Sequence, residues 1–133
     1  GTPKEIYSKP NTKFVAEFIG SPQMNIFNCK IDNGTAKIDN HSINLDKSVN
    51  NDDASIGIRP DDIQISDSGS ITCKANLVEY LGSDMIIYSS LGNQEFSCKL
   101  SSKIDVKAGN EFKFDIQPNL VHIFDNSSGK RLD

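Results

Sequence analysis

Hydrophobic positions along the chain change their period near residue 22. Before it, Phe14, Val15, Phe18 and Ile19 fall at i, i+1, i+4 and i+5, which aligns four apolar side chains on one stripe of a helix. Asn11 offers that helix an N-cap, and Gly20 and Pro22 end it. A shorter helix is predicted ahead of it. Thr2 to Glu5 reads as a capping box with Pro3 at the first helical position, and Pro10 stops the helix by pushing Lys9 out of the helical region. Two short helices sharing one apolar stripe must pack on something.

From Met24 onward the period is two. Residues 26–31 predict a strand, Asn33-Gly34 a hairpin turn, residues 36–38 the returning strand and residues 43–45 another, followed by a polar loop, "DKSVNNDDAS". Ile71, Cys73, Ala75 and Leu77 alternate with Thr72, Lys74 and Asn76, the mark of one half-buried strand. Residues 85–91, 96–100, 112–116 and 121–124 predict further strands. Gly82, Gly92 and Gly109 punctuate them at the spacing of a small all-β barrel or sandwich.

A chain of 133 residues is one domain, or one domain with a piece of a neighbour. It lacks an initiating Met and starts in mid-motif, so a fragment of a longer protein is expected. Its net charge of -4, with arginine only at positions 59 and 131 and no Trp, argues against a protein that reads a nucleic-acid backbone. No apolar run approaches the length of a membrane span, and no secretory signal pattern is present. Cys29, Cys73 and Cys98 are odd in number and widely separated, which predicts reduced core cysteines of a cytosolic protein rather than a disulfide framework or a metal site. The Asn-x-Ser/Thr triplets at Asn33, Asn40 and Asn126 read as turns.

Enzyme chemistry is not visible. The chain has no Gly-x-x-x-x-Gly-Lys-Ser/Thr loop, no His-Glu-x-x-His, no Gly-x-Ser-x-Gly and no Cys-x-x-Cys. His41 falls in a polar turn and His122 in a strand, neither beside a serine or cysteine that could serve as a nucleophile, so both read as ordinary histidines. Asp52-Asp53 and Asp61-Asp62 read as solvated loop charges. Arg59 precedes Pro60 and is expected to hold the turn Arg59-Pro60-Asp61 through carbonyls or the Asp61 and Asp62 carboxylates. An isolated Arg beside acids makes a poor anion site.

Four words resemble, in this order, the C-terminal third of the ATP-binding subunits of sugar and glycerol-3-phosphate ABC importers: "GTPKEIYSKP…FVAEFIGSPQMN" at 1–25, "IGIRPDDI" at 56–63, "EYLGSD" at 79–84 and "VHIFDNSSGKRL" at 121–132. The resemblance covers nearly the whole chain. It departs from the family's "RPE" word in having Asp61 at the acidic position. It implies a mainly β, OB-fold-like (TOBE or MOP-like) barrel at residues 23–133, preceded by the two helices at residues 1–22 as the tail and link of an absent nucleotide-binding domain. On that reading Phe14, Val15, Phe18 and Ile19 pack at the domain junction. The fragment itself is non-catalytic and holds no cofactor, while the full-length parent would hydrolyse ATP with Mg²⁺. The implied partners are a second copy in a homodimer, permease subunits reached through the absent ATPase domain and, in some members, a regulatory protein. The implied location is the cytoplasmic face of the inner membrane.

Two other classes compete. A MOP-type oxyanion module for molybdate-like ions needs converging donors, and no Ser-Ala-Arg-Asn-like segment is present. A single-strand nucleic-acid OB module needs aromatics interleaved with cations on one face, whereas alternation puts Phe112 and Phe114 on a core face opposite Lys113. For subunit contact the segment 121–125 is singled out. With Val121 and Ile123 pointing inward, His122 and Phe124 are expected on the outer face, whereas the opposite parity, with Leu120, His122 and Phe124 inward, would bury His122. The resemblance implies that this segment faces the second subunit, which makes His122, Phe124 and Asp125 the candidate interface.

Overall fold

A computed structural model of the chain describes residues 23–133. The two helices expected at residues 1–22, with the stripe Phe14, Val15, Phe18 and Ile19, lie outside the described residues.

Among the described residues the chain forms strands β1 (Asn25–Asp32), β2 (Thr35–Ile38), β3 (His41–Asn44), β4 (Asn51–Ile58), β5 (Ile63–Ile65), β6 (Ile71–Lys74), β7 (Leu77–Leu81), β8 (Asp84–Leu91), β9 (Gln94–Ser101), β10 (Glu111–Ile116) and β11 (His122–Asp125). They make a five-stranded sheet in the order β11-β4-β1-β2-β3 and two three-stranded sheets, β5-β10-β6 and β7-β8-β9. Period-two burial drives the strands. In β1, Phe27, Cys29 and Ile31 are buried while Asn28, Lys30 and Asp32 face water. The Asn33-Gly34 turn joins β1 to β2 with both residues at positive φ, 49° and 76°, the geometry whose twist matches a tight hairpin.

One core unites the three sheets. Phe27 of β1 meets Phe96 of β9 edge-on at 5.6 Å between centroids, Phe96 lies 5.6 Å from Phe114 of β10, and Phe112 stacks on Phe114 at 5.8 Å. Hydrogen bonds close the seams. The Asn25 side chain donates to the Ser97 carbonyl (2.8 Å) and accepts from the Ser97 amide (2.9 Å), and the Ser89 hydroxyl donates to the Lys74 carbonyl (2.6 Å). The three cysteines are reduced and buried, as expected.

Three sequence expectations are corrected. The end of the polar "DKSVNNDDAS" stretch is strand, because Asn51, Ala54 and Ser55 pair with β1, while Asp52 and Asp53 lie at a shift of the register and are exposed. His41 opens β3 instead of sitting in a turn. The alternation through Leu77 does not mark one strand. The Ala75 amide donates to the Asn110 carbonyl beside β10, and the next amide, Asn76, donates to the Tyr88 carbonyl of β8. The chain therefore changes sheets between two residues, and Leu77 emerges 58 % exposed.

Candidate functional site

Strand β11 pairs with β4 so that Ile26, Gly57 and His122 form one cross-strand row and Asn28, Ser55 and Phe124 the next, all on the outer face of the five-stranded sheet. Val121 and Ile123 point into the core, as alternation predicts. The outer face differs from expectation, because Phe124 is fully buried. Met24 and Ile26 pack against its ring, and the Arg131 guanidinium lies 5.9 Å from the ring centroid. Met24 reaches this position over Gly57, where a Cβ would collide with the Met24 Sδ. The exposed aromatic ring on which the interface reading relied is therefore shielded within the chain.

His122 is buried beside it. Its Nδ1 lies 2.9 Å from Arg131 Nη1. A guanidinium only donates, so Nδ1 accepts and the ring hydrogen sits on Nε2. Desolvation, then the Arg131 charge, with smaller contributions from Arg59 and Lys47, push the imidazole down to about 4 against the opposing pull of Asp133. Asp133 ties the cluster together, accepting from Lys47 Nζ (3.0 Å), Arg131 Nη2 (3.3 Å) and the Ile123 amide (3.2 Å). A neutral, enclosed imidazole held by an arginine is a structural histidine. The adjacent Asp125 begins a turn. Its carboxylate accepts from Asn51 Nδ2 (3.1 Å), the Ser128 amide (2.9 Å) and the Ser127 hydroxyl, which holds it down to about 2.

Arg59 is buried where β4 ends, and its carbonyl accepts from the Asp62 amide (2.9 Å) across a 3₁₀ turn, Pro60–Asp62. Burial and Asp61 raise Asp62, and the Arg59 charge opposes them. Asp61 is exposed. Asp62 lies within Arg59's electrostatic reach, and the same guanidinium acts on His122.

Among the described residues no constellation for chemistry assembles. Burial raises all three thiols, Cys29 to about 11 and Cys98 to about 12, which removes them as nucleophiles. Among the described residues no group of three His, Cys, Asp or Glu side chains could hold a metal ion. Phe112 and Phe114 are core residues and present no platform for stacking bases.

The site that sequence reasoning missed lies on the outer face of β7-β8-β9. Cross-strand pairing puts Leu77 beside Tyr88, Glu79 beside Ile86 and Leu81 beside Asp84. Leu77, Leu81 and Tyr88 are exposed, and Tyr80 at the rim of the opposite face is 61 % exposed. Ile86, between its cross-strand partners Glu79 and Lys99, is buried. Next to this face is a groove of about 580 Å³ bounded by Gln23, Met24 and Ile26 on one side and by Leu77, Tyr88 and Phe96 on the other. The available signal was Asn76, a poor strand former that interrupts the alternation ahead of Leu77-Val78-Glu79-Tyr80-Leu81.

Comparison with known proteins gives two adjoining matches. The MalK OB fold domain family matches residues 20–63 and the TOBE domain family residues 56–124. Similar proteins include the oligosaccharides import ATP-binding protein MsmX of Bacillus subtilis (strain 168), 33% identical over 99% of this chain and 40% of that protein. The sn-glycerol-3-phosphate import ATP-binding proteins UgpC of Ruegeria sp. (strain TM1040) and Escherichia coli (strain K12) are 34% and 31% identical, each over 99% of this chain and over 38% and 39% of their own lengths. The chain thus spans about two fifths of these relatives.

Proposed function

This chain belongs to the TOBE domain family, and from that premise we propose that it is the non-catalytic regulatory and dimerisation domain of the ATP-binding subunit of an importer for sugars or glycerol-3-phosphate. One observation carries the reading. The two family matches overlap at residues 56–63, and this overlap contains the end of β4, the strand that pairs with β1 from the first match and β11 from the second. The overlap supports reading residues 23–133 as one domain, in which residues 1–22 would be the link to a nucleotide-binding domain, with Phe14, Val15, Phe18 and Ile19 at the junction.

ATP and Mg²⁺ do not fit the residues of this chain. A phosphate needs a glycine-rich loop of converging amides with a lysine, and residues 1–133 contain no such loop. Both would be held by the parent's preceding domain. There the subunit would pair with its own copy, contact permease subunits and lie on the cytoplasmic face of the membrane. Among the described residues no helix is long and apolar enough to cross it. Of the segment 122–125, Asp125 at the rim is the residue left to reach a partner, which would be a second copy or a regulatory protein.

The test is the reading frame ahead of Gly1 together with calorimetry. A Walker-type loop and a Leu-Ser-Gly-Gly-Gln word are expected upstream, and their absence overturns the reading. The 133-residue chain mixed with ATP and Mg²⁺ is expected to give no saturable heat. A saturable heat abolished by substitutions within the chain would assign it a nucleotide site of its own.

A further inference from the structure

Two outer faces of the barrel carry large apolar residues, and the face of β7-β8-β9 is the one on which Leu77, Leu81 and Tyr88 stay exposed. We propose that the groove between this face and the start of β1 is the seat of the chain's own preceding segment, with Phe14, Val15, Phe18 and Ile19 lying on Leu77 and Tyr88. This deepens the reading of those four residues as junction packing by naming the platform.

Three observations support the assignment. The described chain begins in the groove, because Gln23, Met24 and Ile26 line it. Its direction is fixed there, since the paired hydrogen bonds between the Asn25 side chain and the Ser97 backbone of β9 pin the start of β1 beside the face. Its length then limits the outcome. Only Ser21 and Pro22 separate Gly20 from Gln23, three residue steps or at most about 11 Å of extended chain, and a helical stripe over residues 14–19 adds about 9 Å. Phe18 and Ile19 thus arrive next to the groove, and a four-residue apolar stripe meets a face on which Leu77, Leu81 and Tyr88 are exposed beside Glu79. Covering both removes apolar surface from water.

Paramagnetic broadening in the full 133-residue chain tests this. Lys13, opposite the stripe in a 3.6-residue repeat, is replaced by Lys13→Cys and carries a nitroxide. The native thiols are buried and raised, so the label goes to position 13. The amides of Leu77, Tyr88 and Ser97 are expected to lose most of their intensity, and those of Lys37 and Ser42 in β2 and β3 to keep theirs. Adding Phe18→Asp should restore the lost signals while the rest of the spectrum reports an intact barrel. Broadening that survives Phe18→Asp overturns the role of the stripe. Broadening centred on Asn126 and Phe124 overturns the groove but leaves junction packing standing, and uniform intensities overturn both. Broadening seen only when the nitroxide is on one copy and the isotope on another assigns the groove to a second copy and overturns the proposal.

Discussion

The outer face of β4-β11 and the outer face of β7-β8 begin alike, each with an aromatic ring and aliphatic neighbours pointing away from the main core. On the first, Phe124 is covered by Met24 and Ile26, and Arg131 folds back over it after the Asp125–Gly129 turn. On the second, Leu77 and Tyr88 keep 58 % and 37 % of their surface in water. Alternation alone does not distinguish them. What differs is whether another stretch of the same chain is placed to close the face, and on β4-β11 a residue without a side chain, Gly57, makes room for it. An apolar outer face is thus a demand for a neighbour, and position in the topology decides who supplies it.

The largest effect that would break this comparison is on Phe124. Because the ring is fully buried, Phe124→Ala is expected to lower stability by about 3–5 kcal/mol in urea unfolding, without shifting the mass distribution in light scattering. A change in self-association with unchanged stability would instead restore the ring as a contact between subunits.

Next in size is the pH response of the covered face. His122 is held down to about 4 in the folded chain, by desolvation first and by Arg131 second, against an ordinary value of 6.5. The unfolded chain therefore binds the extra proton first as pH falls. The contribution is fully present above about pH 6.5 and is lost progressively toward pH 4, by an amount on the order of 3 kcal/mol at most. Unfolding midpoints measured across that window should fall with acid, and His122→Gln should flatten the slope. Gly57→Ala comes third. A Cβ there displaces the Met24 thioether, which is flexible enough to yield in part, so about 1–2 kcal/mol is expected, and Met24→Ala in the same chain should absorb much of it.

What was legible in the sequence was local. Phe27, Cys29 and Ile31, Phe112 and Phe114, and Val121 and Ile123 show their core face by period two, and Asn33-Gly34 shows its turn by residue type. What was not legible depends on partners far along the chain. The cover on Phe124 comes from Met24, and it requires the β1-β4-β11 register that aligns Ile26, Gly57 and His122. The strand through Asp52 and Asp53 is polar, and it is held by the pairing of the flanking Asn51, Ala54 and Ser55 with β1 and by Asn126 Nδ2 donating to Asp53 Oδ1 (2.9 Å) and the Ala54 carbonyl (3.0 Å). Leu77 was misplaced because the alternation continues smoothly across a change of sheet at Ala75 and Asn76.

The smallest effect sharpens the comparison most. Among the described residues one core unites the three sheets, so a chain shortened to 23–133 is expected to fold. In it Leu77 has no cover to lose, and Leu77→Ser should change stability by no more than about 0.5 kcal/mol, as at an ordinary surface position. In the full chain the same substitution should cost measurably more, because Leu77 would then be part of a covered face as Phe124 is. Unfolding curves of the four proteins form a cycle whose non-additivity reports the cover directly. Equal costs in both backgrounds would mean that residues 1–22 do not reach Leu77, and the open face would then demand its neighbour from another chain.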